Sequence, residues 1–318
     1  IFSDLNNLND MTMELSCATL FGYTPEEVAK NLPELLHRFA ESNGLADTQG
    51  LAEIERWYDG YLFHPKAEQV INPVSLGCCL KTTELRNYWS TTAMTTFLMD
   101  ELKRKPLNFA KVDVDESVLG TYEPDKADFT TLLFQTGYLT IRGFQQRGAS
   151  RRYRLDFPNL DVENSFLRQV VPAYTGQEEN RANDIQADAV EALYDGEPEK
   201  FVAALKRLFA NIPYDLTDRQ NEQMWQAIVY VILKMIGVAA EAEVKTNEGR
   251  IDMTLETPEH GYVIEFKLDK SAAEAIRQIH ENHYAARFAG NGKTLTLIGL
   301  AFSKERRTIV DAAIEEAR

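Results

Sequence analysis

The stretch that decides the fold is residues 249–267, Gly-Arg-Ile-Asp-Met-Thr-Leu-Glu-Thr-Pro-Glu-His-Gly-Tyr-Val-Ile-Glu-Phe-Lys. Two apolar, β-rich runs flank a turn at residues 257–261, which predicts a β-hairpin. Asp252 lies in the first run, and Glu265 and Lys267 lie two residues apart in the second. Because side chains two apart on a strand point to one face, the hairpin could bring all three together. Two carboxylates and one ammonium group are the parts of a metal-dependent phosphodiesterase.

The apolar neighbours of Glu265 and Lys267 favour a functional interpretation over a structural one. Val263, Ile264 and Phe266 surround the pair in sequence, so the strand is expected to be buried. A charged pair inside a buried strand needs a partner or a function. The alternative is a solvated cross-strand pair.

The second half of the chain, residues 183–318, predicts a small mixed sheet between helices. The predicted helices cover residues 199–210, 220–236, 271–288 and 304–318, and the predicted strands cover residues 241–246, the 250–267 hairpin and residues 294–302. Ser303 is expected to cap the last helix. The fold class is therefore α+β.

The first half predicts mostly helices. Thr24-Pro25-Glu26-Glu27 is a capping box that should open a helix ending near Gly44. Further helices are expected at residues 47–57, 73–79 and 92–102. The aromatic segment Trp57-Tyr58-Asp59-Gly60-Tyr61 is expected to be core, with a turn at its Asp-Gly pair.

Residues 111–182 have the outline of a winged-helix-like segment. A short helix at 128–136 precedes strands at 138–141 and 153–155 around a polar loop, 145–152, and a helix follows at 162–174. Such units bind DNA or pack protein against protein. The loop region carries a basic cluster that a solvated hairpin would also explain: Arg147, Arg151, Arg152 and Arg154. The polar, acidic stretch 178–188 predicts a domain boundary, giving domains 1–182 and 183–318.

Bulk properties restrict the possible functions. The length of 318 residues suggests two domains, and a net charge of −15 argues against a general nucleic-acid binder, although a local basic groove is compatible with it. The three cysteines show no metal spacing, which suggests a reducing cytoplasm. The sequence lacks an apolar run long enough to span a membrane. A start at Ile1-Phe2-Ser3, without Met, suggests a fragment of a longer protein.

Together, these patterns resemble the PD-(D/E)XK nuclease superfamily. The whole chain is similar to bacterial proteins that join an AAA-ATPase-like domain to such a nuclease domain. The similarity rests on residues 2–8 (Phe-Ser-Asp-Leu-Asn-Asn-Leu), 57–61, 133–139 (Leu-Phe-Gln-Thr-Gly-Tyr-Leu) and 249–252, with Glu265-Phe266-Lys267. It implies a restriction-endonuclease-like α/β/α domain at 183–318. It also implies that residues 1–182 are the helical lid of the ATPase-like domain plus the winged-helix-like segment.

The resemblance also implies roles for individual residues. Asp252, Glu265 and the backbone carbonyl of Phe266 would hold Mg²⁺, with Mn²⁺ as the alternative metal. Lys267 would orient water or stabilise developing negative charge. Of the remaining two candidates, Glu222 matches an accessory position on the helix before the sheet, and Gln278 matches one on the helix after Glu265-Phe266-Lys267. An exposed helical face explains both equally well. The superfamily's proline before the first aspartate is Ile251 here.

Two functional hypotheses follow. The first is a Mg²⁺-dependent nuclease acting on DNA, which we favour over RNA. The alternative is a catalytically silent nuclease-fold binding or assembly module of an ATPase-containing protein. The sequence has no Gly-x-x-x-x-Gly-Lys-Ser/Thr loop, so ATP binding is expected only in a full-length protein with the missing N-terminal ATPase core.

Overall fold

The structure of the chain, a computed structural model, describes residues 11, 13–89, 98, 101–102, 112–116, 119, 129–175, 178–210, 239–245, 250–284, 292–306 and 308–317. At residues 239–245 and 250–252 only the backbone is described. The chain forms two compact units, Ile1–Leu107 with Lys111–Phe166, and Leu167–Arg318 with Asn108–Ala110. The predicted helix at 220–236 lies outside the described residues, as does most of that at 92–102. No helix in the described part of the chain is long and apolar enough to cross a membrane.

The first unit begins with helices. After a short 3-10 helix, Leu15–Cys17, come α1 (Pro25–Asn31), α2 (Pro33–Ser42), α3 (Asp47–Tyr58) and α4 (Pro73–Thr82). The predicted capping box is present, because the Glu27 N–H donates to Thr24 Oγ1 and the Thr24 N–H donates to the Glu27 carboxylate. The single helix expected from this box to Gly44 was wrong. Pro33 starts a new helix, since proline cannot continue the hydrogen-bond ladder and disfavours helical backbone before it.

The four helices enclose an apolar core. It includes Val28, Phe39, Ile54, Tyr58 and Leu76. Tyr58 and Tyr61 are 0% and 6% exposed, which agrees with the prediction that the aromatic segment is core. Gly60 has φ +117, and a Cβ there would lie 2.1 Å from the Pro158 carbonyl oxygen, so only glycine fits.

A small antiparallel sheet follows. Its strands are β1 (Val112–Asp115), β2 (Thr140–Arg147) and β3 (Ser150–Asp156), in the order β1-β3-β2. Helices α5 (Phe129–Gln135) and α6 (Leu160–Thr175) lie before and after the hairpin in sequence. The sequence did not predict β1, and the expected polar loop at 145–152 was wrong. Gly148, with φ +60, allows a tight turn so that the strands continue almost to the tip.

The stretch 178–188 belongs to a helix. Helix α7 (Glu179–Tyr194) places Ala182, Ile185 and Ala189 on a buried side, and its polar residues form the outer face. The compact units divide after Phe166, earlier in the chain than the 182/183 boundary, which stays a prediction. Most of the residues on the buried side are small alanines, so the apolar period is hard to recognise in the sequence.

The second unit is built on a five-stranded sheet. After α7 and α8 (Pro198–Phe209) come β4 (Ala239–Lys245), β5 (Arg250–Glu256), β6 (His260–Leu268), helix α9 (Ala272–Glu281), β7 (Thr294–Ser303) and β8 (Thr308–Ala317). The strand order is β4-β5-β6-β7-β8, with β6 and β7 parallel and the other pairs antiparallel. This confirms an α+β chain with a small mixed sheet in its C-terminal region.

Helices cover both faces of this sheet. On one face, Ile276 and Ile279 of α9 pack with Val263 and Leu297. On the other, the Tyr262 hydroxyl donates to the Leu193 carbonyl of α7 at 2.7 Å. Burial raises the pKa of Tyr262 to about 12, so the phenol stays a neutral donor at ordinary pH.

The predicted final helix at 304–318 was wrong, because this segment forms β8. Ser303 does accept a hydrogen bond from the Arg306 N–H, as a helix cap would, but the bond closes a turn and the chain then runs back along β7. The backbone groups on that side of β7 need partners, and pairing with β8 supplies them. This tertiary demand overrides the helical preference of a segment rich in Ala and Glu.

Candidate active site

The candidate site lies on the face of β6 that packs against α9. Glu265 and Lys267 share this face, and Lys267 Nζ lies 3.0 Å from Glu265 Oε1. The side chains of Glu265 and Lys267 are 2% and 16% exposed, so the pair is not a solvated surface pair. Burial of the carboxylate requires a compensating partner, and the ammonium group supplies it.

Gln278 of α9 completes the group. Lys267 Nζ donates to Gln278 Oε1 at 2.5 Å. An ammonium group can only donate, so the amide oxygen must face it. Gln278 therefore lies beside Lys267 and does not belong to an exposed helical face, and its part in catalysis stays a prediction.

The start of α9 fixes the position of Gln278. Ser271 Oγ accepts from the Glu274 N–H at 3.3 Å, and the Ser271 N–H donates to the Glu274 carboxylate at 3.1 Å. This hydrogen bond from Ser271 lowers the pKa of Glu274. The predicted start of this helix at Ser271 is thereby confirmed.

Gly299 of β7 controls how closely α9 approaches the site. It is the register partner of Glu265, and a Cβ at 299 would lie 2.5 Å from the Ala272 carbonyl oxygen and 3.0 Å from Ala275 Cβ. Helix α9 therefore sits against the sheet only because this position has no side chain. We did not predict this role from the sequence, although a glycine inside a strongly apolar strand is the signal for such a close approach.

Asp252 can be placed by backbone register alone. Met253 of β5 pairs with Ile264 of β6. Asp252 and Glu265 are the next residues of the two strands, directly beyond this last register pair. Glu222, the remaining predicted member, lies outside the described residues.

Phe266 contributes differently from its two neighbours. Its ring lies 5.9 Å from that of Phe302, and it belongs to the opposite side of the strand from Glu265 and Lys267. In the part of the chain that the structure describes, no three His, Cys, Asp or Glu side chains are grouped to hold a metal ion.

The comparisons with known proteins agree with this location. Residues 220–312 match the profile described as PD-(D/E)XK nuclease superfamily. These residues are a PD-(D/E)XK nuclease superfamily domain. The superfamily domain includes β4 to β7 and α9, and it contains every candidate site residue.

One curated relative extends the similarity over the whole chain. The "Uncharacterized protein in vnfD 5'region" of Azotobacter chroococcum mcd 1 is 31% identical over 326 residues, covering 99% of this chain and 60% of the relative. The chain therefore spans about 60% of the length of this relative.

The nuclease-superfamily domain presents a preorganised cation beside a buried carboxylate. Two of the three N–H donors of Lys267 are directed to Glu265 and Gln278, which leaves one for a water or an anionic oxygen. Held between two acceptors, the ammonium group has little rotamer freedom. Such preorganised charge is effective where negative charge develops in a reaction.

Proposed function

We propose that the chain carries a Mg²⁺-dependent nuclease that hydrolyses DNA phosphodiester bonds. The observation that carries the proposal is the lysine of a nuclease-superfamily domain held between Glu265 and Gln278 on the covered face of its sheet. Buried charge arranged in this way needs a reason, and catalysis of phosphodiester cleavage supplies one.

The residues present fit a hard divalent cation. Carboxylate oxygens of Glu265 and Asp252, with the carbonyl of Phe266, would hold Mg²⁺, or Mn²⁺ in its place. The bound ion would lower the pKa of a water molecule and offset the charge of the phosphate. Lys267 would donate a hydrogen bond to the attacking water or to a phosphate oxygen. Gln278 would hold the ammonium group of Lys267 in position for this. Glu222 is proposed as an accessory acid.

A cleavage assay tests this proposal. We expect the chain to cut DNA with Mg²⁺ or Mn²⁺ and not in EDTA, and expect Asp252→Ala and Lys267→Ala each to abolish cutting. Lys270→Ala is the matched control, since Lys270 is exposed and only three residues away. Cleavage that survives Asp252→Ala combined with Lys267→Ala would sink the proposal.

One observation favours a second function, a silent binding or assembly module. Lys267 and Glu265 form a buried ion pair with each other, and such a pair could serve only to stabilise the domain. The net charge of −15 points the same way, because it opposes general binding to nucleic acid. DNA binding in EDTA without cleavage in any divalent metal would support the module over the nuclease.

For residues 1–182 we propose the helical lid of an AAA-ATPase-like domain followed by a winged-helix-like segment. Support comes from the sequence resemblance and from the order α5, β2, β3, α6, which is helix, hairpin, helix. The ATPase core would belong to a longer, cytoplasmic protein. This chain alone is then expected not to bind ATP, which equilibrium dialysis with labelled nucleotide would test.

A further inference from the structure

The exposed face of the β1-β3-β2 sheet carries a concentration of arginines. Register pairs Gly143 with Arg154, Gln145 with Arg152 and Arg147 with Ser150, so these side chains share one face. All three arginines are exposed. We call this set, Arg147, Arg152 and Arg154, the arginine face.

A β-bulge shapes this face. The register between β2 and β3 shifts between Ile141 and Gly143, so Arg142 is the extra residue. The Arg142 guanidinium turns to the Phe157 carbonyl, to which it donates at 3.0 Å. The shift brings Gly143 beside Arg154, and a Cβ there would lie 3.5 Å from Arg154 Nε. Arg154 thus lies across Gly143, toward β2 and away from β1.

Two acidic side chains lie beside the arginine face without forming a described ion pair with it. Asp113 and Asp115 of β1 are exposed on the same face, opposite Arg154 and Arg152 in register. Even so, none of the three arginines makes an ion pair with any carboxylate that the structure describes, and Arg152 donates only a long 3.5 Å bond to the Asp113 backbone carbonyl. The two aspartates lie along the edge of the arginine face that is next to β1.

Arg151 shows the contrast within the same hairpin. It points to the opposite face from its neighbour Arg152, and its Nη1 lies 2.7 Å from Glu116 Oε1. Of the four arginines in this segment, Arg151 is therefore paired with a carboxylate. The three arginines of the arginine face have no ion pair with a described carboxylate. The chain has 49 acidic and 34 basic residues, so its net charge is negative. Three exposed arginines on one face are a local concentration of positive charge in such a chain.

We propose that the arginine face binds the phosphate backbone of duplex DNA. Guanidinium groups form paired hydrogen bonds with phosphate oxygens, and Arg152 and Arg154 stand about 6.6 Å apart along the strand. Duplex DNA carries one charge for every ~1.7 Å of its axis, so several phosphates fall within the length of the arginine face. The choice of DNA among polyanions rests on the proposed nuclease function. Contacts of this kind hold the DNA without reading its sequence.

Fluorescence anisotropy of labelled duplex DNA, measured in EDTA across a salt series, tests the proposal on the full chain. For Arg147→Gln combined with Arg152→Gln and Arg154→Gln, we expect weaker binding and a salt slope smaller by about 2.7, since each lost phosphate contact removes about 0.9. Arg152→Gln alone should reduce the slope by about 0.9. Arg151→Gln is the matched control, because it removes the same charge from the opposite face and should leave the slope unchanged.

The outcomes separate this inference from the proposed function. Equal weakening by Arg151→Gln and Arg152→Gln would show that only net charge matters and would overturn the inference. So would unchanged binding by the triple variant, or binding of the arginine face to phosphatidylserine vesicles without DNA binding. Binding that depends on the arginine face without any cleavage would leave this inference standing while the nuclease proposal fails. Circular dichroism confirms that the variants are folded.

Discussion

Glu265 on β6 and Gly299 on β7 are register partners, and the missing side chain at position 299 lets α9 settle against the sheet beside the buried carboxylate. The site is therefore built from three elements: β6 supplies Glu265 and Lys267, α9 supplies Gln278, and β7 supplies the space. A substitution in any one of these three elements should therefore alter the positions of the site residues on the other two.

Gly299→Ala should destabilise the protein. The added Cβ would lie 2.5 Å from a backbone carbonyl of α9, so the helix must move outward, and overpacking of this kind costs about 1–3 kcal/mol. Gln278 would move with the helix and loosen its hold on Lys267. Urea denaturation measures the loss.

Gly77→Ala is the matched control for this change. Gly77 lies in α4, and a Cβ there meets nothing within 4 Å. Alanine inside a helix should raise stability by about 0.5–1 kcal/mol. The two glycine variants are thus expected to differ in sign, and equal effects would contradict the close approach at Gly299.

Gln278→Ala should slow DNA cleavage while leaving the fold intact. A hydrogen bond to a charged group is worth about 1.5–3 kcal/mol, which corresponds to roughly a tenfold to hundredfold loss of rate if it acts in the transition state. The loss should fall on kcat, because the lysine remains but is less well oriented. Single-turnover kinetics measures it.

Arg277→Ala is the control on the same helix. Arg277 makes only exposed surface ion pairs with Glu274 and Glu281, which contribute little. A rate loss in this variant equal to that of Gln278→Ala would mean that α9 is merely disturbed.

In the second unit, the sequence predicted the central hairpin and the helix after it better than the last strand of the sheet. The hairpin and the start of the helix at residue 271 follow from local patterns in the sequence, and the choice of Gln278 came from the resemblance to the nuclease superfamily. Strand β1 pairs with β3, which is distant in sequence, and β8 pairs with β7 directly before it, although its composition favours a helix. The residues of β8 do not alternate between apolar and polar, so the sequence does not indicate that this segment pairs with β7.

His37 provides a pH-dependent contact at the start of α3. Its Nδ1 lies 2.9 Å from Asp47 Oδ1, and the hydrogen bond and charge of Asp47 raise the pKa of His37 above 6.5. A raised pKa means that the stabilisation is fully present below pH 6.5 and is lost as pH rises through the folded-state value. Asp47→Asn should lower the pKa of His37, which NMR titration would detect.

Glu41→Gln is the comparison variant for this titration. Glu41 also raises the pKa of His37, but through charge alone and less than Asp47 does. Glu41→Gln should lower the pKa of His37 by less than Asp47→Asn does. A larger effect of Glu41→Gln would contradict the hydrogen bond between His37 and Asp47.

Lys267→Met should separate stability from catalysis. It leaves the Glu265 carboxylate, 2% exposed, without its ammonium partner, and breaking a buried pair in this way costs about 3–5 kcal/mol. The buried carboxyl then releases its proton less readily in the folded chain than in the unfolded chain. Stability of this variant should therefore fall as pH rises from about 4, the ordinary value for glutamate, and stay low above it.

Glu265→Gln combined with Lys267→Met should restore most of that stability, since an uncharged pair has no buried charge to compensate. Cleavage should stay abolished in both variants, because each lacks the ammonium group, and the double variant also lacks the proposed metal ligand. Thermal denaturation between pH 4 and pH 8, with Lys270→Met as the exposed control, measures the recovery. A double variant as unstable as Lys267→Met would show that the instability arises from packing around position 267, and that the ion pair with Glu265 is not its cause.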